Sequence, residues 1–209
     1  MVRTQDLKEI ILSNAQYIRQ IEEIQRRDHI LLPDEKTRKV VIFYGVRRSG
    51  KTYLLYEVFQ KNYQNSLYID FEDERLGDFT VNDFEKLREA YFDLNPQLVG
   101  KEVFFLLDEI QNILSWERFV RRVTEREKIR VYVSGSSSKM TPQELHTSLR
   151  GRAWEVEVLP FSFAEYLSSQ GMKPFNQSMF YSGSKHELKK WFESYLRWGG
   201  VPRSLLFIQ

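Results

Sequence analysis

Apolar residues run along this chain in two rhythms. Continuous runs of strand length occur at Val40-Val41-Ile42-Phe43-Tyr44, Ser66-Leu67-Tyr68-Ile69-Asp70-Phe71, Val103-Phe104-Phe105-Leu106-Leu107 and Ile129-Arg130-Val131-Tyr132-Val133. Between them, apolar positions return every three or four residues. A strand that is apolar throughout is buried on both faces, as in a parallel sheet, and helical spacing between such strands predicts crossover helices. The pattern predicts a first amphipathic helix over about 5–26, with Leu7, Ile10, Ile11, Tyr17, Ile18, Ile21 and Ile24 on one stripe. Further helices follow from Thr52 through Phe59, around Val81, Phe84, Leu87 and Tyr91, and around Trp116, Phe119, Val120 and Val123. Trp154-Glu155-Val156-Glu157-Val158 alternates apolar and charged residues, the pattern of a half-buried outer strand.

Turn and cap residues punctuate these elements. Asn95-Pro96 closes one helix and Ser115 is a candidate cap for the next. Thr141-Pro142-Gln143-Glu144 is a capping box whose helix stops at Gly151. Two more boxes, Ser162-Phe163-Ala164-Glu165 and Ser184-Lys185-His186-Glu187, open later helices. The second helix is expected to turn Leu188, Trp191, Phe192, Tyr195 and Leu196 inward and to end at Gly199-Gly200. The order is a helix, five strands alternating with helices, and a helical tail. That is an α/β fold, a doubly wound, mostly parallel sheet with helices on both faces. The expected division is an N-terminal helix over 1–30, a core over 31–170 and a helical extension over 171–209.

The candidate chemistry gathers at the strand ends. Gly45-Val46-Arg47-Arg48-Ser49-Gly50-Lys51-Thr52 has the spacing of a phosphate-binding loop and lies between a predicted strand and a predicted helix. There the glycines let the backbone bend around an anion, and successive N–H groups through Tyr53 face the phosphates at the helix N-terminus. Lys51 is placed to reach the outer phosphate oxygens of a nucleotide such as ATP, and the Thr52 hydroxyl to bind Mg²⁺. The third strand delivers Asp108-Glu109 to the carboxyl edge of the sheet, where ligands bind. Asp108 is read as a second Mg²⁺ residue, and Glu109 as the base that orients and deprotonates an attacking water. Ser134, at the end of the next strand, is a candidate for sensing the terminal phosphate if that strand lies beside the loop strand. The acidic cluster Glu72-Asp73-Glu74 reads as a solvated loop in preference to a metal site.

Composition narrows the class. The chain has 209 residues, 42% hydrophobic and 14% aromatic, enough for one sizeable α/β domain. No apolar run is long enough to cross a bilayer, the N-terminus carries no apolar signal region, and there is no cysteine. A cytoplasmic protein is expected. The net charge of +2 singles out no partner, and the basic pairs are scattered. His29, His146 and His186 are isolated, so no histidine metal site is expected.

Taken together, these segments resemble a P-loop ATPase of the additional-strand, catalytic-glutamate division. More narrowly, the chain resembles the prokaryotic, largely archaeal, AAA-like ATPases related to the STAND group. The family-like segments are GVRRSGKT at 45–52, FFLLDEIQ at 104–111, VSGSSS at 133–138, LRGR at 149–152, LPFSFAEYL at 159–167 and WGGVP at 198–202. The resemblance implies a strand order 5-1-4-3-2, ATP hydrolysis with Mg²⁺, and a further C-terminal domain that in some relatives resembles a nuclease or a winged helix. It also makes Arg150 or Arg152 a candidate arginine finger. Arg152 is read either as a stabiliser of γ-phosphate charge in the transition state or, equally, as a surface arginine paired with Glu155 or Glu157. The apolar segment Ser204–Gln209 after a glycine-proline turn adds the expectation that these residues are the N-terminal part of a longer protein, with DNA or a protein as partner and an oligomer possible. Two alternatives accompany the ATPase reading: a nucleotide-gated binding switch with little turnover, and a P-loop small-molecule kinase.

Overall fold

The structure is a computed structural model and describes residues 2–34, 37–136, 149, 151–172 and 185–200, with the Trp198 side chain excepted. The capping boxes at Thr141 and Ser184, together with Arg150 and the segment after Gly200, lie outside the described residues.

Five strands form one sheet: β1 (Val40–Gly45), β2 (Ser66–Asp70), β3 (Val103–Asp108), β4 (Ile129–Ser136) and β5 (Ala153–Glu157). The order is β2-β3-β4-β1-β5, and every pairing is parallel. This is the expected order read from the other edge, with all strands parallel.

The apolar runs are explained by burial on both faces. In β1, Val40 and Ile42 enter one core while Val41 and Phe43 enter the other. In β3, Val103, Phe105 and Leu107 alternate in the same way with Phe104 and Leu106. The first core is covered by α3 (Phe84–Leu94) and α4 (Glu117–Arg126), the second by α2 (Lys51–Lys61).

The first helix, α1 (Thr4–Arg19), lies against edge strand β2 and α3. Its Leu7, Ile10 and Ile11 join one core and its Ile18 the other. The Asn14 side-chain amide donates to the Tyr68 carbonyl at 3.4 Å, so the helix covers an edge that would otherwise offer unpaired backbone. The helix is shorter than its apolar stripe. The Gln60 amide of α2 donates to the carbonyls of Ile18 (3.1 Å) and Ile21 (2.9 Å), satisfying the helix end from outside. Ile21 and Ile24 then pack on the second core from non-helical backbone, and Tyr17 stays exposed.

Two other expectations change. Ser115 does not cap α4; it takes a left-handed conformation (φ 61°) that lets Ile113 and Trp116 both turn into the core. The last described helices are α5 (Phe163–Ser169), opened by the predicted Ser162/Glu165 box, and α6 (Lys185–Trp198). They share a small core of Phe161, Tyr166, Leu167 and Leu188, whereas Phe192 and Leu196 of α6 are exposed.

Candidate functional site

The topology brings the three predicted strand ends together, because β4 lies between β3 and the loop strand β1. Gly45 ends β1 at φ 153°, and a Cβ there would sit 2.3 Å from the Val158 carbonyl oxygen; only glycine fits. Gly50 takes a left-handed conformation (φ 100°) and starts α2. Between them Arg48 is also left-handed (φ 67°). Arg47 is exposed and lies 3.6 Å from Glu72, while Val46 and Tyr53 are half exposed, Tyr53 edge-on against Tyr56.

The Lys51 amine is buried and donates to the carbonyls of Val46 (2.9 Å) and Gly45 (3.3 Å), which places it under the loop. Burial lowers its pKa, and the carboxylates of Glu109 and Asp108 oppose that shift. Ser49 Oγ is buried and has no hydrogen-bond partner, a polar atom that invites a ligand.

Asp108 is 1% exposed and is the hub of the site. Its Oδ1 accepts from the Ser134 hydroxyl and its Oδ2 from Tyr68 OH at 2.8 Å. The Thr52 hydroxyl also favours the charged form of this carboxylate. Burial pushes the Asp108 carboxyl up, and these three donors act against burial. Ser134 is fully buried and also accepts from the Glu109 N–H at 3.2 Å. Its hydroxyl is thus engaged with Asp108 and the Glu109 backbone. Glu109 itself has left-handed backbone (φ 48°) and is half-buried.

Two neighbours had no motif to announce them. Asp70 ends β2 directly opposite Asp108, and burial, followed by the charges of Asp108, Glu72 and Glu109, pushes its carboxyl up to about 6 against a hydrogen bond from the Glu72 N–H. Tyr68 donates to Asp108 from the same strand. Both side chains follow the strand period, but their partnership with β3 depends on sheet order. In the acidic run after β2, Asp73 accepts from the Arg75 guanidinium and backbone and caps the short 3₁₀ helix Glu74–Leu76.

Arg152 is not brought to this site. Its carbonyl accepts from the Val40 N–H at 2.9 Å, at the start of β1, and its guanidinium pairs with Glu125 of α4 at 2.7 Å. β1 has six residues, so roughly 20 Å of strand separates Arg152 from the loop. Within this chain Arg152 therefore stands apart from the loop, and its carboxylate partner is Glu125 in place of the expected Glu155 or Glu157.

The residues present fit a nucleotide with Mg²⁺. Thr52 and Asp108 meet as two hard oxygen donors, and Mg²⁺ takes few protein ligands beside water and phosphate. The loop supplies a lysine and an unpartnered serine on the same side as the α2 N-terminus.

Residues 37–167 match the AAA domain family. The chain is 36% identical over 202 residues to an uncharacterized protein of Methanocaldococcus jannaschii, covering 95% of this chain and 43% of that protein. It is 27% identical over 204 residues to an uncharacterized protein of Haemophilus influenzae, covering 94% and 45%. The chain therefore spans less than half the length of these two relatives. Among solved structures, PCH-2 of C. elegans superimposes with a TM-score of 0.52 at 13% identity, over 98% of this chain and 60% of that one. The Walker-type ATPase paby2304 of Pyrococcus abyssi superimposes with a TM-score of 0.50 at 16% identity, over 88% and 68%. At these identities the likeness is one of fold.

Proposed function

Because this chain belongs to the AAA domain family, we propose that it binds ATP with Mg²⁺ and hydrolyses it to drive or reset a conformational change on a DNA or protein partner. The observation that carries this reading is the assembly of Thr52, Ser134 and Tyr68 around the buried Asp108, next to a lysine under a glycine-framed loop. When bound, Mg²⁺ supplies charge neutralisation between the phosphates. Thr52 and Asp108 would hold it, and Lys51 with the N–H groups from Val46 to Tyr53 would bind the phosphates. Ser134 and Tyr68 keep the Asp108 carboxylate in one orientation. Glu109, delivered to the same edge, would take the proton of the attacking water.

A second reading, a nucleotide-gated switch with little turnover, is favoured by one contact. The Gln111 amide donates to Glu109 Oε2 at 2.5 Å and so engages the proposed base. Phosphate release from MgATP, measured with and without DNA, separates the two. The ATPase reading expects steady turnover that falls by about 10²-fold or more in Glu109→Gln while nucleotide binding persists, and binding that weakens in Lys51→Ala. Equal turnover in wild type and Glu109→Gln would remove Glu109 from the mechanism.

A further inference from the structure

The segment after α1 carries Arg27, and its guanidinium is among the most heavily engaged polar groups in the molecule. The side chain is 7% exposed. Nη1 donates to the Ser49 carbonyl at 2.9 Å, Nη2 to the Leu159 carbonyl at 2.6 Å, and Nε to Glu165 Oε1 at 2.9 Å. The guanidinium also lies 4.9 Å from the centre of the Phe161 ring. Three distant parts of the chain, the phosphate loop, the β5–α5 connection and α5, meet on one side chain. The planar fork of arginine spreads its donors over three nitrogens at fixed angles; the three donors of lysine radiate from one rotatable nitrogen and cannot span acceptors this far apart.

Its partner is built just as fully. Glu165 is 4% exposed. Its Oε1 also accepts from the Asp28 N–H at 3.0 Å, and its Oε2 accepts from the Ser162 N–H at 2.8 Å, the backward half of the capping box of α5. Helix α5 in turn holds α6: the Tyr166 ring packs on Trp191 and Tyr195, and Tyr195 OH donates to the Phe161 carbonyl at 2.8 Å.

The bond to Ser49 bears on the loop through peptide geometry. In a trans peptide the carbonyl of one residue and the N–H of the next point to opposite sides. Fixing the Ser49 carbonyl on Arg27 therefore fixes the Gly50 N–H facing away from Arg27. Gly50, with its left-handed backbone, has few steric constraints of its own to hold that orientation.

We propose that Arg27 is a positioning residue of the phosphate loop: it holds the Ser49 carbonyl so that the Gly50 N–H turns into the phosphate cradle, and through Glu165 it makes that cradle depend on the docking of α5. The inference rests on the nucleotide reading above and adds a regulation to it. Any partner that shifts α5 and α6 acts on nucleotide affinity through this one ion pair.

The test is a titration of the 209-residue chain with a fluorescent ATP analogue and Mg²⁺, paired with thermal melting, for wild type, Lys51→Ala, Arg27→Lys and Glu165→Gln. Arg27→Lys keeps the charge but not the fork, and is expected to raise the Kd about tenfold at temperatures where it is folded. Glu165→Gln keeps an oxygen acceptor and never touches the loop, yet is expected to raise the Kd several-fold. In both, turnover at saturating ATP stays within about threefold of wild type, a split between KM and kcat that lost stability does not produce. If both variants bind as wild type does and only melt lower, the role is structural and the inference falls. Should Arg27→Lys fail to fold, Glu165→Gln decides by the same criterion. A wild-type chain that binds no better than Lys51→Ala overturns the nucleotide reading, and this inference with it.

Discussion

Asp108 accepts from several donors at once, and the consequence is a carboxylate that cannot easily turn. Ser134 and Tyr68 hold its two oxygens and Thr52 joins them. Tyr68→Phe removes one of these donors and leaves the shape of the core unchanged. A buried charge that loses a hydrogen bond costs about 1–3 kcal/mol, so urea unfolding of Tyr68→Phe is expected to show a loss in that range. An unchanged midpoint would mean that Tyr68 does not support the carboxylate. At this scale the sequence was legible where the chemistry is local. Lys51 and Thr52 sit inside one eight-residue pattern, and Asp108 and Glu109 end a run that is apolar throughout. Tyr68, Asp70 and Arg27 were not legible, because their roles arise from partners that only the sheet order or a long loop supplies. The partner of Arg152 was not legible for the same reason: adjacency in sequence to β5 says nothing about which helix its side chain meets, and it meets Glu125 of α4.

Helices and strands were legible in type, and their ends less so. The stripe continues to Ile24 because Ile21 and Ile24 still pack on the second core, yet α1 stops at Arg19, and Gln60 from another helix donates to the carbonyls of Ile18, in its last turn, and Ile21, just beyond it. Burial and helicity part company there, and periodicity reports only burial. The Ser162/Glu165 box, by contrast, was visible because both its partners lie within one turn. That box also carries a pH dependence. Burial alone would raise the Glu165 carboxyl, but the Ser162 N–H, the Arg27 guanidinium and the Asp28 N–H together hold it below the usual glutamate value. The folded chain then binds this proton less readily than the unfolded chain. Its stabilisation is present above about pH 5 and is lost as pH falls below about 4. Wild type is expected to exceed Glu165→Gln by about 1–3 kcal/mol at pH 7, with the difference shrinking steadily in denaturant titrations between pH 5 and pH 3. A constant difference would mean that the ionised carboxylate adds nothing.

At the scale of the whole molecule, the last two described helices are tied to each other by close backbone contact. The Phe161 N–H donates to the Gly200 carbonyl at 2.6 Å, and a Cβ on Gly200 would lie 2.1 Å from the Phe161 oxygen. Gly200→Ala is expected to loosen α6 from α5 and leave the sheet intact, with amide exchange in α6 rising about tenfold or more and exchange in β1, β3 and β4 unchanged. Uniform exchange across the chain would argue against separable layers. No helix among the described residues is long and apolar enough to cross a membrane. The parallel order has one more consequence. Among the described residues, the first strand made, β1, sits between the last two, β4 and β5, and the Arg27 that steadies its loop waits for a carboxylate 138 residues later. On a ribosome adding about 5–20 residues per second, that is an interval of roughly 7–28 seconds. During it the phosphate loop already exists as sequence but has neither its neighbouring strands nor its anchor, so competence to hold a nucleotide arrives with the end of synthesis of this unit and not with its beginning.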